Sequence, residues 1–376
     1  MIGRVFRQSR SHSETRRDDL LTNLRDISRR IARRALPNAV VMARFYGAEE
    51  TVTTDRDGYF RFHLSPPLPP PLDHSWHTMD LTLPQPHAVQ AQAQIFIPPT
   101  SCRYVVISDI DDTIMYTGVA NKLRMLWRLF VEDAESRVAF PGVGALYRAL
   151  HAGTTGDQQN PMLYVSRAPW GIYEVLEKFF DLQGIPIGPI LFLREWGVSW
   201  TSPLPRKAED HKRELIHNML ALYSELPFVL IGDSGQHDPE IYRRIVEEHP
   251  GRVLAVYIRN VSRDPKRIGE IEGLAKAVAV TGSSLVLAAD SVAITEHAVG
   301  LGLVVPETVS EVRNERTATA QSEPQSQTYS IQKSSPKKTA KAVEQGDLKH
   351  LIETGSEPMP PNVIVEPTTR EQPKDP

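Results

Sequence analysis

Beyond about residue 100, short apolar runs alternate with stretches of helical spacing. The runs are 104–108, 162–165, 190–193, 228–231 and 253–258. Each is close to continuous in apolar or β-branched residues and is bounded by polar, Gly or Pro positions. Strands buried on both faces read this way, whereas strands with one wet face alternate. The pattern predicts an α/β fold with a Rossmann-like, parallel five-stranded sheet covered by helices on both sides.

The earlier part of the chain has a different rhythm. Short strands are expected at 39–45, 51–53 and 59–64 around the turn Asp55-Arg56-Asp57-Gly58, then at 80–83 and over the alternating run 89–97. These hairpin signals predict a small antiparallel β-sandwich. The turn sequence 54–62 also resembles that of transthyretin-like or carboxypeptidase-regulatory-like β modules. Between these strands, the proline-rich run 65–72 reads as a stiff extended loop. Leu20, Leu21, Leu24, Ile27 and Ile31 recur at helical spacing, so 19–35 is expected to form an amphipathic helix. Past residue 305, Ser, Thr, Lys, Glu, Gln and Pro dominate, which predicts a disordered tail. The expected organisation is an N-terminal segment (1–37), a β module (38–100), a catalytic domain (101–305) and a tail (306–376).

Composition narrows the class. The 376 residues carry a formal net charge of −3, which gives no bulk attraction to nucleic acid. Pairs such as Arg16-Arg17, Arg29-Arg30 and Arg33-Arg34 concentrate positive charge near the start, where a solvated surface is the simplest reading. The single cysteine, Cys102, excludes an intrachain disulfide and suits a reducing compartment. No secretory signal and no span of about twenty uncharged apolar residues is present, so a cytoplasmic protein is expected, with peripheral membrane contact as an option.

The chemistry sits at the strand ends. The first run of the α/β region leads into Asp109-Ile110-Asp111-Asp112-Thr113, three carboxylates and a hydroxyl at a position where open α/β sheets bind ligands. Carboxylates so concentrated repel one another unless a cation lies between them, and hard ions such as Mg²⁺ choose oxygen ligands. The second run ends at Ser166 and continues Arg167-Ala168-Pro169-Trp170. The fourth ends in Gly232-Asp233-Ser234-Gly235-Gln236-His237-Asp238. Between these motifs, His211-Lys212 opens a helix whose apolar face is Leu215, Ile216, Met219, Leu222 and Tyr223, placing a cation near a helix amino end that favours phosphate.

In this order, the four elements resemble the haloacid dehalogenase superfamily of phosphotransferases. More narrowly, the motifs 109–113, 164–170 and 230–242 resemble the catalytic domain of the actin-patch-associated phosphatidate phosphatase family and its bacterial relatives. The resemblance covers about 101–305. It implies a Mg²⁺-dependent phosphatase acting on a phosphomonoester, with phosphatidate or a related phospholipid as substrate and a soluble ester or a non-catalytic lipid-binding module as alternatives.

By that resemblance Asp109 is the nucleophile and forms an aspartyl-phosphate, and Asp111 protonates the leaving oxygen and then activates water. Metal binding is implied for Asp109, Asp233 and Asp111, the last through its main-chain carbonyl. Ser166 donates to a phosphoryl oxygen and Lys212 neutralises charge in the transition state. Lys212 is preferred to Lys207 because it stands at the helix start. Asp112 reads as a turn or cap residue, and Asp238 as either a partner of Lys212 or a loop residue. Arg167 replaces the Asn or Ser expected in eukaryotic members. Trp170 and Tyr173 are expected to pack beneath the site, His237 to be a loop residue, and Cys102 to be a half-buried strand-edge residue.

About fifty residues separate Thr113 from the second motif, and a helix at 143–150 takes part of them, so only a minimal cap is expected. Within this stretch 121–130 interleaves Lys122, Arg124 and Arg128 with apolar residues, the composition of an interfacial helix or of a core helix with basic edges. Gly3 to Phe6 resembles an early strand of the family's amino-terminal region, so either preceding family sequence is missing or this strand lacks its partner.

Overall fold

The computed structural model describes residues 1–7, 34–84, 88–115, 139–168, 170–192, 208–321 and 363–365. The expected helix at 19–35, the segment 121–130, any cap over 116–138, and Lys207 lie outside them.

The amino-terminal region, up to Phe96, is antiparallel. Strands β1 (Ile2–Arg4), β2 (Val40–Phe45), β3 (Ala48–Thr53), β4 (Tyr59–Arg61), β5 (Trp76–Leu83) and β6 (Val89–Phe96) form a four-stranded sheet ordered β3-β2-β5-β6 and a two-stranded pair β1-β4. Alternate positions of β2 send Val41, Ala43 and Phe45 into a core completed by Phe60, Phe62 and Met79. Each such apolar side chain contributes about 1.5–3 kcal/mol when fully buried. Asp55 Oδ1 accepts the backbone N–H groups of Asp57 and Tyr59, both at 2.9 Å, and Gly58 supplies the positive φ of 79° that closes the turn. β1 does have a partner: Ile2 lies opposite Arg61 and Arg4 opposite Tyr59. The expectation of an unpaired first strand is therefore corrected.

From Val105 onward the chain forms a three-layer α/β/α structure. All five expected strands form, as β7 (Val105–Asp109), β8 (Met162–Ser166), β9 (Ile190–Phe192), β10 (Phe228–Asp233) and β11 (Val253–Arg259). A sixth parallel strand, β12 (Ser284–Ala288), and an antiparallel seventh, β13 (Val363–Val365), extend the sheet in the order β13-β12-β11-β10-β7-β8-β9. Five strands were too few because 284–288 sits in a long apolar stretch whose period does not separate strand from helix.

Alternation along β7 explains its unbroken hydrophobicity. Val106 packs beneath α1 (Val143–Ala152), α2 (Tyr173–Leu182) and α6 (Ser291–Gly300). Val105 and Ile107 point the other way, toward α3 (Ala208–Leu222), α4 (Asp238–Glu248) and α5 (Pro265–Ala279).

The tail expectation also needs correction. Residues 308–321 form α7 (Thr308–Gln321), which buries Val312 completely and docks by charge: Glu315 to Arg148 at 2.8 Å and Arg316 to Asp290 at 2.5 Å. Polar composition concealed this because two apolar anchors, Val309 and Val312, and a few ion pairs carry the helix. β13 then pairs with β12, Val365 opposite Leu285. The remaining tail, 322–362 and 366–376, lies outside the described residues.

Candidate active site

β7 has β8 on one side and β10 on the other, so the chain reverses its progress across the sheet at this strand. Crevices at such switch points are the usual ligand sites of open α/β sheets. Asp109 closes β7 on the same face as Val105 and Ile107, which aims it at α3. The chain then turns sharply: Ile114 N–H donates to the Ile110 carbonyl at 3.1 Å, and Asp112 takes a left-handed φ of 55°. Aspartate tolerates that conformation better than most residues, so Asp112 is the turn-former its position suggested.

From α3, Lys212 places its ammonium 3.0 Å from Asp109 Oδ1 and 2.5 Å from Asp238 Oδ1. All three side chains are at most 2% exposed. Asp238 is the first residue of α4, and its Oδ2 accepts the Asp233 backbone N–H at 3.3 Å. Asp233 Oδ1 accepts N–H groups from Gly235 (2.7 Å) and Gln236 (3.0 Å), leaving Oδ2 buried without a hydrogen-bond partner. Neither Asp109 oxygen has a hydrogen bond of acceptable geometry either. Gly232 permits this crowding, since a Cβ there would come within 2.8 Å of Asp238 Cβ.

Ligand oxygens of Asp109, Asp233 and Asp238 lie within 4.8 Å of one another. Three carboxylates against one ammonium leave two negative charges in a dry crevice, and one divalent cation balances them. Asp111 enters differently: its carboxylate Oδ2 accepts the Arg167 N–H at 3.3 Å, while its main-chain carbonyl accepts from Gln236 Nε2 at 3.4 Å.

Burial dominates the titration of these acids. It pushes Asp109 well above the usual carboxylate range against the pull of Lys212, and it raises Asp111 against the Arg167 N–H. Burial, then Asp238, lifts Asp233 to about 7. Desolvation pulls the Lys212 ammonium down, but Asp109 and Asp238 outweigh it and hold the lysine well above its ordinary value.

Ser166 sits at the end of β8, one residue past Val165, which lies opposite Asp109. Its hydroxyl accepts the Ala168 N–H at 3.1 Å, which leaves its proton available to donate. Trp170 stacks on Tyr173, and both rings lie tilted against Phe192. His237 is an exposed loop residue near Glu209. Cys102 is buried, donates to the Gln159 carbonyl at 3.2 Å, and has its thiol pushed up to about 11 by burial.

Two site residues escaped the sequence. Gln236 touches the Asp111 carbonyl and keeps its own Oε1 buried and unbonded. Arg259 reaches from the end of β11 to donate to the Thr113 carbonyl and the Ser291 hydroxyl, both at 3.0 Å, with Phe140 under its guanidinium. Nothing in the spacing of Arg259 marks it. Gln236 lies inside the recognised motif 230–242, which by itself assigns it no role.

Residues 104–260, which contain every one of these side chains except Cys102 and Ser291, match the family model described as Phosphatidate phosphatase APP1, catalytic domain. This segment is APP1-like. Over 155 residues the chain is 36% identical to Phosphatidate phosphatase APP1 of Saccharomyces cerevisiae, a stretch that covers 41% of the chain and 25% of that protein. Over 160 residues it is 29% identical to an uncharacterised Schizosaccharomyces pombe protein, covering 42% and 25% respectively. The APP1-like segment thus spans about a quarter of the length of these two relatives. Among the described residues no helix is long and apolar enough to cross a membrane.

Proposed function

We propose that the APP1-like segment is a phosphatase of haloacid dehalogenase type that hydrolyses phosphatidate, or a closely related phospholipid, through an aspartyl-phosphate on Asp109. The observation that carries the chemistry is a buried carboxylate ion-paired through Oδ1 with a buried ammonium at 3.0 Å, with no hydrogen bond to either oxygen beyond that pair. Leaving such atoms unsatisfied is costly unless a ligand completes them. The substrate class rests on the likeness to the yeast phosphatidate phosphatase.

The residues fit a divalent, oxygen-seeking ion. Asp109, Asp233 and the Asp111 carbonyl would hold it, with Asp238 beside them. When bound, Mg²⁺ supplies positive charge to the phosphoryl oxygens and offsets repulsion between substrate and carboxylate. Asp109 attacks phosphorus in line while Lys212, fixed between Asp109 and Asp238, neutralises charge on the equatorial oxygens. The Ser166 hydroxyl donates to another of them. Asp111, whose raised affinity for a proton suits an acid working near neutrality, protonates the departing alkoxide. It then takes a proton from the water that cleaves the acyl-phosphate.

The test is phosphate release with Mg²⁺ from phosphatidate vesicles and from a panel of soluble phosphate esters, using the full chain and Asp109→Asn. Release from vesicles that vanishes in the variant supports the reading. Activity surviving in Asp109→Asn sinks the nucleophile, and a preference for soluble esters retires the lipid.

A further inference from the structure

Away from the acid crevice, α3 and α4 meet a second time. Lys212 and Asp238 join the helices near their amino ends. Five residues further along α3, about 7.5 Å at the usual rise, His217 meets the other end of α4. His249 Nε2 lies 2.6 Å from His217 Nδ1, and His217 Nε2 lies 2.9 Å from Glu248 Oε2. Each of the three residues offers a ligand atom within 4.8 Å of the others. The cluster is part-buried at the imidazoles and open at the glutamate, whose side chain is 41% exposed.

We propose that His217, Glu248 and His249 form a second metal site, selective for zinc-type transition ions, that ties α3 to the end of α4. Two imidazoles and a carboxylate, with solvent able to supply a fourth ligand, are the donor set of such ions. The same set disfavours Mg²⁺, which wants oxygen throughout. Two ring nitrogens at 2.6 Å must share a proton, because facing lone pairs repel. A metal ion replaces that proton on His217 Nδ1: the two nitrogens separate by less than about 1 Å to reach the spacing of donors around one zinc, and the exposed Glu248 side chain, which meets the opposite ring nitrogen Nε2, turns to reach the same ion.

The surroundings permit it. Arg252, the cation beside His249, donates to the carbonyls of Leu220, Tyr223 and Leu226 and is held away from the ring nitrogens. Arg213 approaches Glu248 Oε1 at 3.5 Å, on the oxygen that does not face His217. Burial, then the neighbouring His217, lowers the proton affinity of His249.

The experiment is equilibrium dialysis of the full chain against Zn²⁺ in excess Mg²⁺, paired with the visible absorption of a Co²⁺ substitute. One Zn²⁺ per chain is expected, with affinity weakened at least about tenfold by His217→Ala or His249→Ala. Asp109→Asn and Asp233→Asn should leave it unchanged. Zinc that follows the aspartate variants instead of the histidine variants, or no stoichiometric binding, overturns the site. Should the histidine variants unfold, the Asp233→Asn protein decides, since it lacks the crevice acid that titrates in the same range: its zinc affinity must fall steeply between pH of about 8 and about 5.5 as protons reclaim the imidazoles, and a flat profile or no zinc refutes the proposal.

Discussion

Lys212 Nζ stands 3.0 Å from Asp109 Oδ1, with the two side chains 1% and 2% exposed. This contact fixes the polarity of the crevice, and removing either partner has opposite consequences. Lys212→Met strands excess carboxylate charge, so it should cost roughly 3–5 kcal/mol of stability. Phosphate release should fall about 10²–10³-fold. Asp109→Asn discards one of the competing carboxylates and should fold at least as stably as wild type while losing release altogether. Urea unfolding alongside the phosphate assay separates the two outcomes.

The acids make metal-free protein sensitive to alkali. A carboxyl raised to about 7 in the folded state holds a proton that the unfolded chain has already released above about 4. Stability from this source is full below the unfolded value and is lost as pH rises through 7. Chelator-treated protein should therefore melt at lower temperature at pH 8 than at pH 5. Added Mg²⁺ should raise the melting temperature more at pH 8, where fewer protons compete for Asp233; an equal rise at both values would contradict the assignment of Asp233.

Gly232 is required by its neighbour. Ala at this position forces its Cβ against the Asp238 carboxylate and against Asp238 Cβ at 2.8 Å, so the whole side chain must shift. The expected cost is about 1–3 kcal/mol, with lower activity because Asp238 also holds Lys212. Gly251→Ala gives a control for the loss of a glycine, since its Cβ meets nothing within 4 Å, although its φ of 77° will itself add strain.

Removing the chain after Gln321 deletes β13 and leaves the outer edge of β12 unpaired. Exposed edges recruit other strands. The truncated protein should self-associate in sedimentation velocity while its activity per chain in dilute solution stays near that of the full chain. A monomer at all concentrations would show that the pairing contributes little.

How much of this was written in the sequence depends on the length scale of each signal. The strands carrying Asp109, Ser166 and Asp233 were legible because burial on both faces demands uninterrupted apolar runs. Lys212 was legible from its helix-start position, and the structure sets it against Asp109. The role of Asp238 was left open, since five residues from Asp233 nothing local states that α4 will begin there and fold its first side chain back onto Lys212. Arg259 was silent because its partners, Thr113 and Ser291, are distant in sequence and its contact with them is purely tertiary. The tail misled for a related reason: average composition reports the solvated face of α7 and hides Val312.

The antiparallel strand at the sheet edge also sets a schedule. Every parallel strand has been synthesised by Ala288, yet the segment that closes β12 ends at Val365, seventy-seven residues later. At ribosomal rates of about 5–20 residues per second, the nascent sheet spends about 4–15 s with that flank open. Any chaperone that guards this protein during its birth has its clearest task in that interval.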